Sequence, residues 1–346
     1  MLYNGRSRSV RWLGGGQQIM NRRSTIDMDN ALAHSGLVTE HAAALLHLQE
    51  ICTHQMATFP PLLRRAGNRL IHSCTGRWQS ADWVLPLGLG DAWHVPPIHS
   101  QAVAVANALT ALQVHIQREA MEDRSSCGGD LLPLGPLLYT RALRQYQQLF
   151  LPDSDFWTLL EGYHLEWSEA VVWERQRQWG SVRRYSQEDI LRLAGGRALL
   201  KTGCAAVALL AGKRHVLMPL GGVLDHLHIA IQLMDDIVNW QGDLRARRAT
   251  YFLTEIALAL NVREMAALGR LNLVDFLKTD ALPNRVIRRA LKHLSTAKKV
   301  ADHLESPALV TCLDDLAIAC KTVPRQLECD PASALSVERT PASVSI

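Results

Sequence analysis

The stretch IQLMDDIVNWQGD, residues 231–243, sets Asp235, Asp236 and Asp243 into an otherwise apolar run. At helical spacing, Asp225, His228, Gln232, Asp235, Asp236, Asn239 and Asp243 fall within an arc of roughly 100°. Leu224, Leu227, Ile229, Ile231, Leu233, Met234, Ile237, Val238 and Trp240 surround this stripe. No Lys or Arg occurs between His215 and Leu244, so the acids have no counter-charge on their own helix. Carboxylates crowded on a largely buried face repel one another and are poorly solvated. They take up protons, or they meet cations supplied from elsewhere. Oxygen ligands at i, i+4 and i+8, here Asp235, Asn239 and Asp243, suit a hard cation such as Mg2+. That ion is usually shared between one or two carboxylates and a substrate phosphate. The alternative is a surface helix whose acidic face meets water or a basic partner, and the missing Lys and Arg count against it.

The elements that must carry this stripe are helical. Residues 30–58, 99–123, 137–150, 154–179, 187–212, 221–243, 249–260, 262–270 and 283–304 each repeat apolar residues at three- and four-residue spacing. Breakers at Pro60-Pro61, Pro86 to Pro97, Cys127 to Gly129, Pro133 to Pro136 and Pro219 to Gly222 divide them, and Ser186 followed by Glu188 and Asp189 reads as a helix start. Alternating strand patterns are nearly absent, so the spacing predicts an all-α domain of about ten helices over residues 30–323. Residues 60–98 show little periodicity and read as a loop-rich segment packed on the core. The first 29 residues carry five arginines up to Arg23 and a Gly14-Gly15-Gly16 breaker. They read as a disordered basic extension or an upstream start, with a transit-like leader as the alternative. Residues 324–346 read as a disordered tail.

With 346 residues, 48% of them hydrophobic, and a formal charge of +4, the chain can bury a large core and has no polyanion-binding composition. Nucleic-acid binding is not expected. Seven cysteines without a CxxC pair point to a reduced, cytoplasmic protein and against a thiolate zinc site. No apolar run approaches the roughly 18 residues of a transmembrane helix.

AIQLMDDIVNWQGDLRARRATYFL, residues 230–253, resembles the second aspartate-rich region of the trans-prenyl diphosphate synthases. It is also similar to the second metal motif of class I terpene synthases, with Asp235, Asn239 and Asp243 at its ligand positions. RALLKTGCAAVALLAG, residues 197–212, is similar to the preceding helix of the prenyl synthases, where a Lys-Thr pair opens a run of small residues. The resemblance implies an isoprenoid-synthase bundle around a central pocket, two or three Mg2+ ions and a prenyl diphosphate substrate. It implies a catalytic role for Asp235, Asp236 and Lys201, a metal role for Asp235, Asn239 and Asp243, and a diphosphate-binding role for Lys201. Arg245, Arg247, Arg248 and Tyr251 would close over the diphosphate, although basic residues after a helix also suit its dipole. It also implies a possible homodimer.

Two departures bear on the reaction. Where the family has its first DDxxD motif, this chain has HIQREAMEDR, residues 115–124, in which Glu119 with Glu122 or Asp123 could hold one cation. A solvated helix end is the alternative there. The elongation motif GGKRLRP is matched only by AGNRLIH, residues 66–72, with Asn68 and Ile71 at the cationic positions. This favours a terpene synthase using one diphosphate, with chain elongation by isopentenyl diphosphate as the runner-up. A non-catalytic partner subunit that kept the fold is the third reading. His115, Tyr163, Trp167, His228 and Gln232 are candidate pocket residues, although aromatics at such spacing are more often core or interface and His228 reads equally as a core histidine.

Overall fold

The computed structural model describes residues 36–73, 81–121, 131–178, 182–279 and 281–329, and no strand occurs among them. In chain order the helices are α1 (Gly36–Glu40), α2 (Ala42–Ala57), α3 (Pro61–Ser73), α4 (Ala81–Ala92), α5 (Pro97–Met121), α6 (Leu134–Leu149), α7 (Asp155–Gln178) and α8 (Gln187–Arg192). A 3-10 segment, Leu193–Leu200, runs on into α9 (Lys201–Leu210). Then follow α10 (Leu217–Val238), α11 (Trp240–Arg245), α12 (Tyr251–Ala259), α13 (Met265–Leu268), α14 (Leu273–Thr279), α15 (Leu282–Ala301) and α16 (Pro307–Cys329). The all-α fold read from the sequence is the fold observed.

The acidic-stripe helix α10 is central. It packs along α15 on one side and against the 3-10 segment, α9 and α12 on others. Helix α7 lies along the 3-10 segment, and α5 packs on α4, α6 and α9. The stretches 187–210 and 214–238 are long and apolar enough to cross a membrane, but 78% and 56% of their apolar windows are buried inside the fold. They are the core pair of the bundle.

Three sequence expectations are corrected. Residues 60–98 are not loop-rich: they form α3, α4 and the start of α5. Helix α4, ADWVLPLGLGDA, is buried along Trp83–Gly90, so it has no polar face to generate a period. Pro219 does not break the chain; it sits in the first turn of α10, where its missing N–H has no intrahelical partner to lose. The span 187–212 is not one α-helix, because the 3-10 segment interrupts it. Residues 1–35 and 330–346, which contain the whole basic extension and most of the tail, lie outside the described residues.

Local chemistry explains the joints. Ser186 Oγ accepts from Asp189 N at 3.1 Å while Asp189 Oδ2 accepts from Ser186 N at 2.8 Å, a reciprocal cap that starts α8. Asp189 also holds Arg177 of α7 at 3.2 Å. A Cβ on Gly195 would lie 2.7 Å from Ala170 Cβ, so the glycine is what lets α7 approach the 3-10 segment. Cys52, Cys204, Cys312 and Cys320 are buried thiols outside any disulfide among the described residues. Burial pushes Cys52 and Cys320 up to about 12, which makes them inert.

Gly203 gives the test of this close packing. Its virtual Cβ would stand 2.8 Å from Asn107 Cγ and 3.0 Å from Pro86 Cγ, one of them a buried side chain and the other a rigid ring. Gly203→Ala gains up to about 1 kcal/mol of helix propensity and loses about 1–3 kcal/mol to overpacking. A net fall in Tm of roughly 2–5 °C is expected in thermal unfolding; an unchanged or higher Tm would refute this account of the α4–α5–α9 contact.

Candidate active site

The stripe on α10 survives as a line of helical repeats. Asn239 N donates to Asp235 O at 2.8 Å and Asp243 N donates to Asn239 O at 3.0 Å, so these residues stay in register although α10 ends at Val238. Asn239, with φ −95° and ψ 7°, joins α10 to α11. Asp236 and Asp243 are buried, Asp225, Gln232 and Asp235 are half-buried, and Asn239 is exposed. His228 lies in the core.

Counter-charge comes from the neighbouring elements. Arg197 Nη2 donates to Asp235 Oδ2 at 3.1 Å. Lys201 is only 3% exposed. Its Nζ donates to Asp225 Oδ1 at 2.8 Å and to both Glu166 oxygens at 2.8 and 2.7 Å. The two cations are four residues apart, but they grip α10 at points about 15 Å apart along its axis. Antiparallel packing and the change of pitch at the 3-10 segment make this possible. The sequence singles out Lys201 but not Arg197, nor Glu166 and Asp225 as the partners of Lys201. The available signal was that Arg197 precedes Lys201 by four residues, as an acid-free helix facing an acidic one.

The turn after α11 supplies a third cation. Arg247 has φ +55°, Arg248 N donates to Asp243 O at 2.9 Å, and Arg247 N donates to Leu244 O at 3.0 Å. This left-handed helix stop folds the chain back so that buried Arg248 lies 3.5 Å from the Asp243 carboxylate. Arg245 and Arg247 remain exposed. Tyr251 turns its side chain elsewhere: its hydroxyl accepts from Arg289 Nη1 at 3.0 Å.

Asp236 is handled differently. Its oxygens accept from two neutral donors, Gln232 Nε2 at 2.8 Å and Tyr251 N at 2.9 Å. Burial above all, then the neighbouring Asp243, push its carboxyl well above the ordinary range, while the Gln232 hydrogen bond pulls the other way. The crowded acids are thus treated in two ways: Asp225, Asp235 and Asp243 are paired with cations, and the Asp236 carboxyl is pushed toward its protonated form by burial and by Asp243.

Around this network lies a small apolar cluster separate from the main core: Val114, Trp167, Ala198 and Leu199, with Tyr163, Val171 and Met121 against it. The Tyr163 ring is 5.2 Å from Lys201 Nζ. Trp167 Nε1, Gln117 Oε1 and Thr202 Oγ1 are buried without hydrogen-bond partners. Glu119 and His115 are half-buried on the last turns of α5, the helix that contributes Val114 and Met121. Both α5 and α10 touch the 3-10 segment. Glu122 and Asp123 lie outside the described residues.

The donor set can be tested against Mg2+. Among the described residues no three His, Cys, Asp or Glu side chains converge on one point, so an all-protein metal cage is absent. What is present is an oxygen-only set in which Glu166, Asp225, Asp235, Asp236 and Asp243 outnumber Arg197, Lys201 and Arg248. An excess of carboxylates with half-buried Asp235 fits a cation that a substrate phosphate helps to hold.

The protonation of Asp236 has a measurable consequence in the chelator-treated protein. A raised folded value means stability that is fully present below the ordinary value of 3.8 and lost as pH rises through the folded value. Asn at 236 removes that loss, because its carbonyl can accept from Tyr251 N and Gln232 can present its own carbonyl to the new amide. The Tm of Asp236→Asn minus that of the parent is expected to widen as pH rises from about 4, then level off. A difference that stays flat with pH would show that Asp236 is not protonated by its surroundings.

No family model matches this sequence, and no curated protein matches it significantly. Solved structures do match. A polyprenyl synthase from Caulobacter crescentus, solved with calcium and isoprenyl diphosphate, superposes with a TM-score of 0.66 at 17% identity, covering 85% of this chain and 97% of its own. A geranylgeranyl pyrophosphate synthetase from the archaeon Geoglobus acetivorans gives 0.67 at 17% identity over 82% and 99%. The heptaprenyl diphosphate synthase of Staphylococcus aureus gives 0.63 at 12% identity over 82% and 98%. This chain therefore has the all-α fold of the trans-prenyl diphosphate synthases.

Proposed function

We propose that this chain is a Mg2+-dependent prenyltransferase-type enzyme that ionises an allylic prenyl diphosphate and joins the resulting cation to isopentenyl diphosphate. The observation that supports it most is the set of carboxylate–cation pairs around α10. Each pair joins a group suited to a metal ion with a group suited to a phosphate oxygen. With a metal–diphosphate bound, Asp235 and Asp243 would hold the metal, while Arg197, Lys201 and Arg248 would hold phosphate oxygens. Glu166 and Asp225, which Lys201 would leave, have side chains 38% and 40% exposed, so water would solvate them and limit the desolvation cost.

Bound Mg2+ neutralises the charge that grows on the leaving diphosphate. The chain does the rest. The allylic C–O bond breaks with its electron pair going to the diphosphate, and the cations named above hold that leaving group. Tyr163 and Trp167 offer aromatic faces to the allylic cation, and the apolar cluster around them keeps water away. The double bond of isopentenyl diphosphate then forms the new C–C bond, and a proton is lost to the departing diphosphate or to solvent.

One observation favours a second reading, in which a single diphosphate is cyclised or undergoes elimination. The AGNRLIH stretch lies on α3, where Asn68 is exposed but Ile71 is buried in the core, so position 71 could not present a cation to a second diphosphate. Self-association and a cytoplasmic location belong to the same proposal.

Incubation with C10 to C25 allylic diphosphates, with and without Mg2+ and isopentenyl diphosphate, decides among these readings. Metal-dependent diphosphate release is expected, together with longer prenyl diphosphates only when isopentenyl diphosphate is present. Asp235→Ala should lower the rate by about 10²-fold or more. Hydrocarbon or alcohol from one substrate alone would replace elongation by the terpene synthase reading. No turnover with any substrate, in protein of unchanged Tm, would leave a non-catalytic partner subunit.

A further inference from the structure

A cleft of about 540 Å³ opens on another side of α10, between α10, α12 and α15. Its wall on α15 carries Arg285, Arg288, Arg289 and Lys292, and its acidic lining residue is Glu255. The whole of α15, LPNRVIRRALKHLSTAKKVA, contains no Asp or Glu. Cations at three- and four-residue spacing repel one another, by about 0.2–0.5 kcal/mol per pair on an isolated helix. A solvated face normally relieves this with interspersed Glu. Here Arg288 and Lys292 are exposed, and among the described residues neither has a carboxylate partner.

The back of the cleft is built and rigid. Arg289 donates to Tyr251 Oη at 3.0 Å and to Gln187 Oε1 at 2.9 Å, and its guanidinium lies 5.4 Å from the Tyr251 ring centre. Behind it His226 Nδ1 and His293 Nδ1 meet at 2.9 Å. Burial first, then His226, Arg289 and Lys292, push His293 down to about 4. Tyr251 connects this wall to the acidic stripe, since its backbone N–H is the donor to Asp236 Oδ2 at 2.9 Å.

We propose that the α10–α12–α15 cleft is a second anion site, taking a phosphate or diphosphate group between Arg288, Arg289 and Lys292, and that its occupancy is transmitted through Tyr251 to Asp236. The site is distinct from the carboxylate network and its existence does not depend on the proposed reaction.

The test uses inorganic diphosphate with the full chain in chelator, at low salt, where the carboxylate network has no metal to recruit the anion. Calorimetry should show binding that weakens steeply with salt. The double variant Arg288→Gln/Lys292→Gln should weaken it by at least about tenfold, two charged contacts having been lost. Arg197→Gln, in the acidic network, should leave it unchanged. Hydrogen exchange at the Tyr251 amide should slow on binding in the parent and not in the double variant. Capture by phosphatidylglycerol vesicles that the double variant abolishes, without binding of free diphosphate, would assign the phosphate to a lipid headgroup and uphold the site. Binding of neither ligand, or binding indifferent to the double variant, would overturn the site. Binding with no change in Tyr251 exchange would overturn the transmission.

Discussion

A buried helix that carries its own acids and no cation can exist only if its neighbours bring charge to it. That constraint shapes the centre of this fold. An uncompensated carboxylate in the interior costs several kcal/mol, and α10 holds Asp225, Asp235 and Asp236 on one arc that Asp243 of α11 continues. The element that answers them is the 3-10 segment with the start of α9, which places Arg197 and Lys201 at two points along α10. Its unusual pitch is kept by close packing: Gly195 sits where a methyl group would strike Ala170 of α7. Helix α7 in turn returns Glu166 to Lys201. Backbone packing and charge placement are therefore one problem with one solution, and changing either disturbs the other.

What the sequence made legible follows from which physical signals are local. Helices with one wet face, such as α6 and α15, announce themselves by period. Helix α4 does not, because Leu85, Leu87 and Leu89 are buried alongside Trp83 and Val84, and a helix apolar all round has no moment to detect. The stripe on α10 was readable because it is a polar exception within an apolar helix. Its partners were not readable, because their facing depends on the turn of pitch between Leu193 and Leu200. In a continuous α-helix Arg197 and Lys201 would share a face; in this chain they reach carboxylates ten residues apart on α10. The fate of Arg248 was hidden for a related reason. It depends on Arg247 adopting a left-handed conformation that glycine usually supplies.

The network also carries information about purpose. A structural set of buried ion pairs can be replaced by apolar side chains with little loss, so a core gains nothing from keeping more acids than cations. This one keeps Asp236 beside Asp243, with Gln232 and the Tyr251 amide as its donors and a carboxyl that burial pushes well above the ordinary range. On the proposed function, the surplus carboxylate would take up a cation from outside. The same proposal gives Lys201 and Arg197 a phosphate to hold, since long cationic side chains can leave a carboxylate for a phosphate without backbone movement.

Tyr251 is where the acidic face of α10 and the basic face of α15 meet. Its amide supports Asp236 on the acidic side and its hydroxyl supports Arg289 on the basic side. Tyr185 packs edge-on against its ring at 5.4 Å and donates its own hydroxyl to Ala249 O at 3.0 Å, so the start of α12 is fixed from both directions. A residue held this firmly at its backbone and its side chain cannot shift at one end alone. Whatever draws Arg289 away from the phenol must be balanced by the ring, by the amide, or by Gln187. The amide is the contact that matters to chemistry, because weakening it leaves the buried Asp236 with one fewer donor and raises its demand for a proton or a metal ion. The basic helix α15 and the acidic helix α10 pack along each other, and Tyr251 hydrogen-bonds to a residue of each, which is the link the proposed transmission uses.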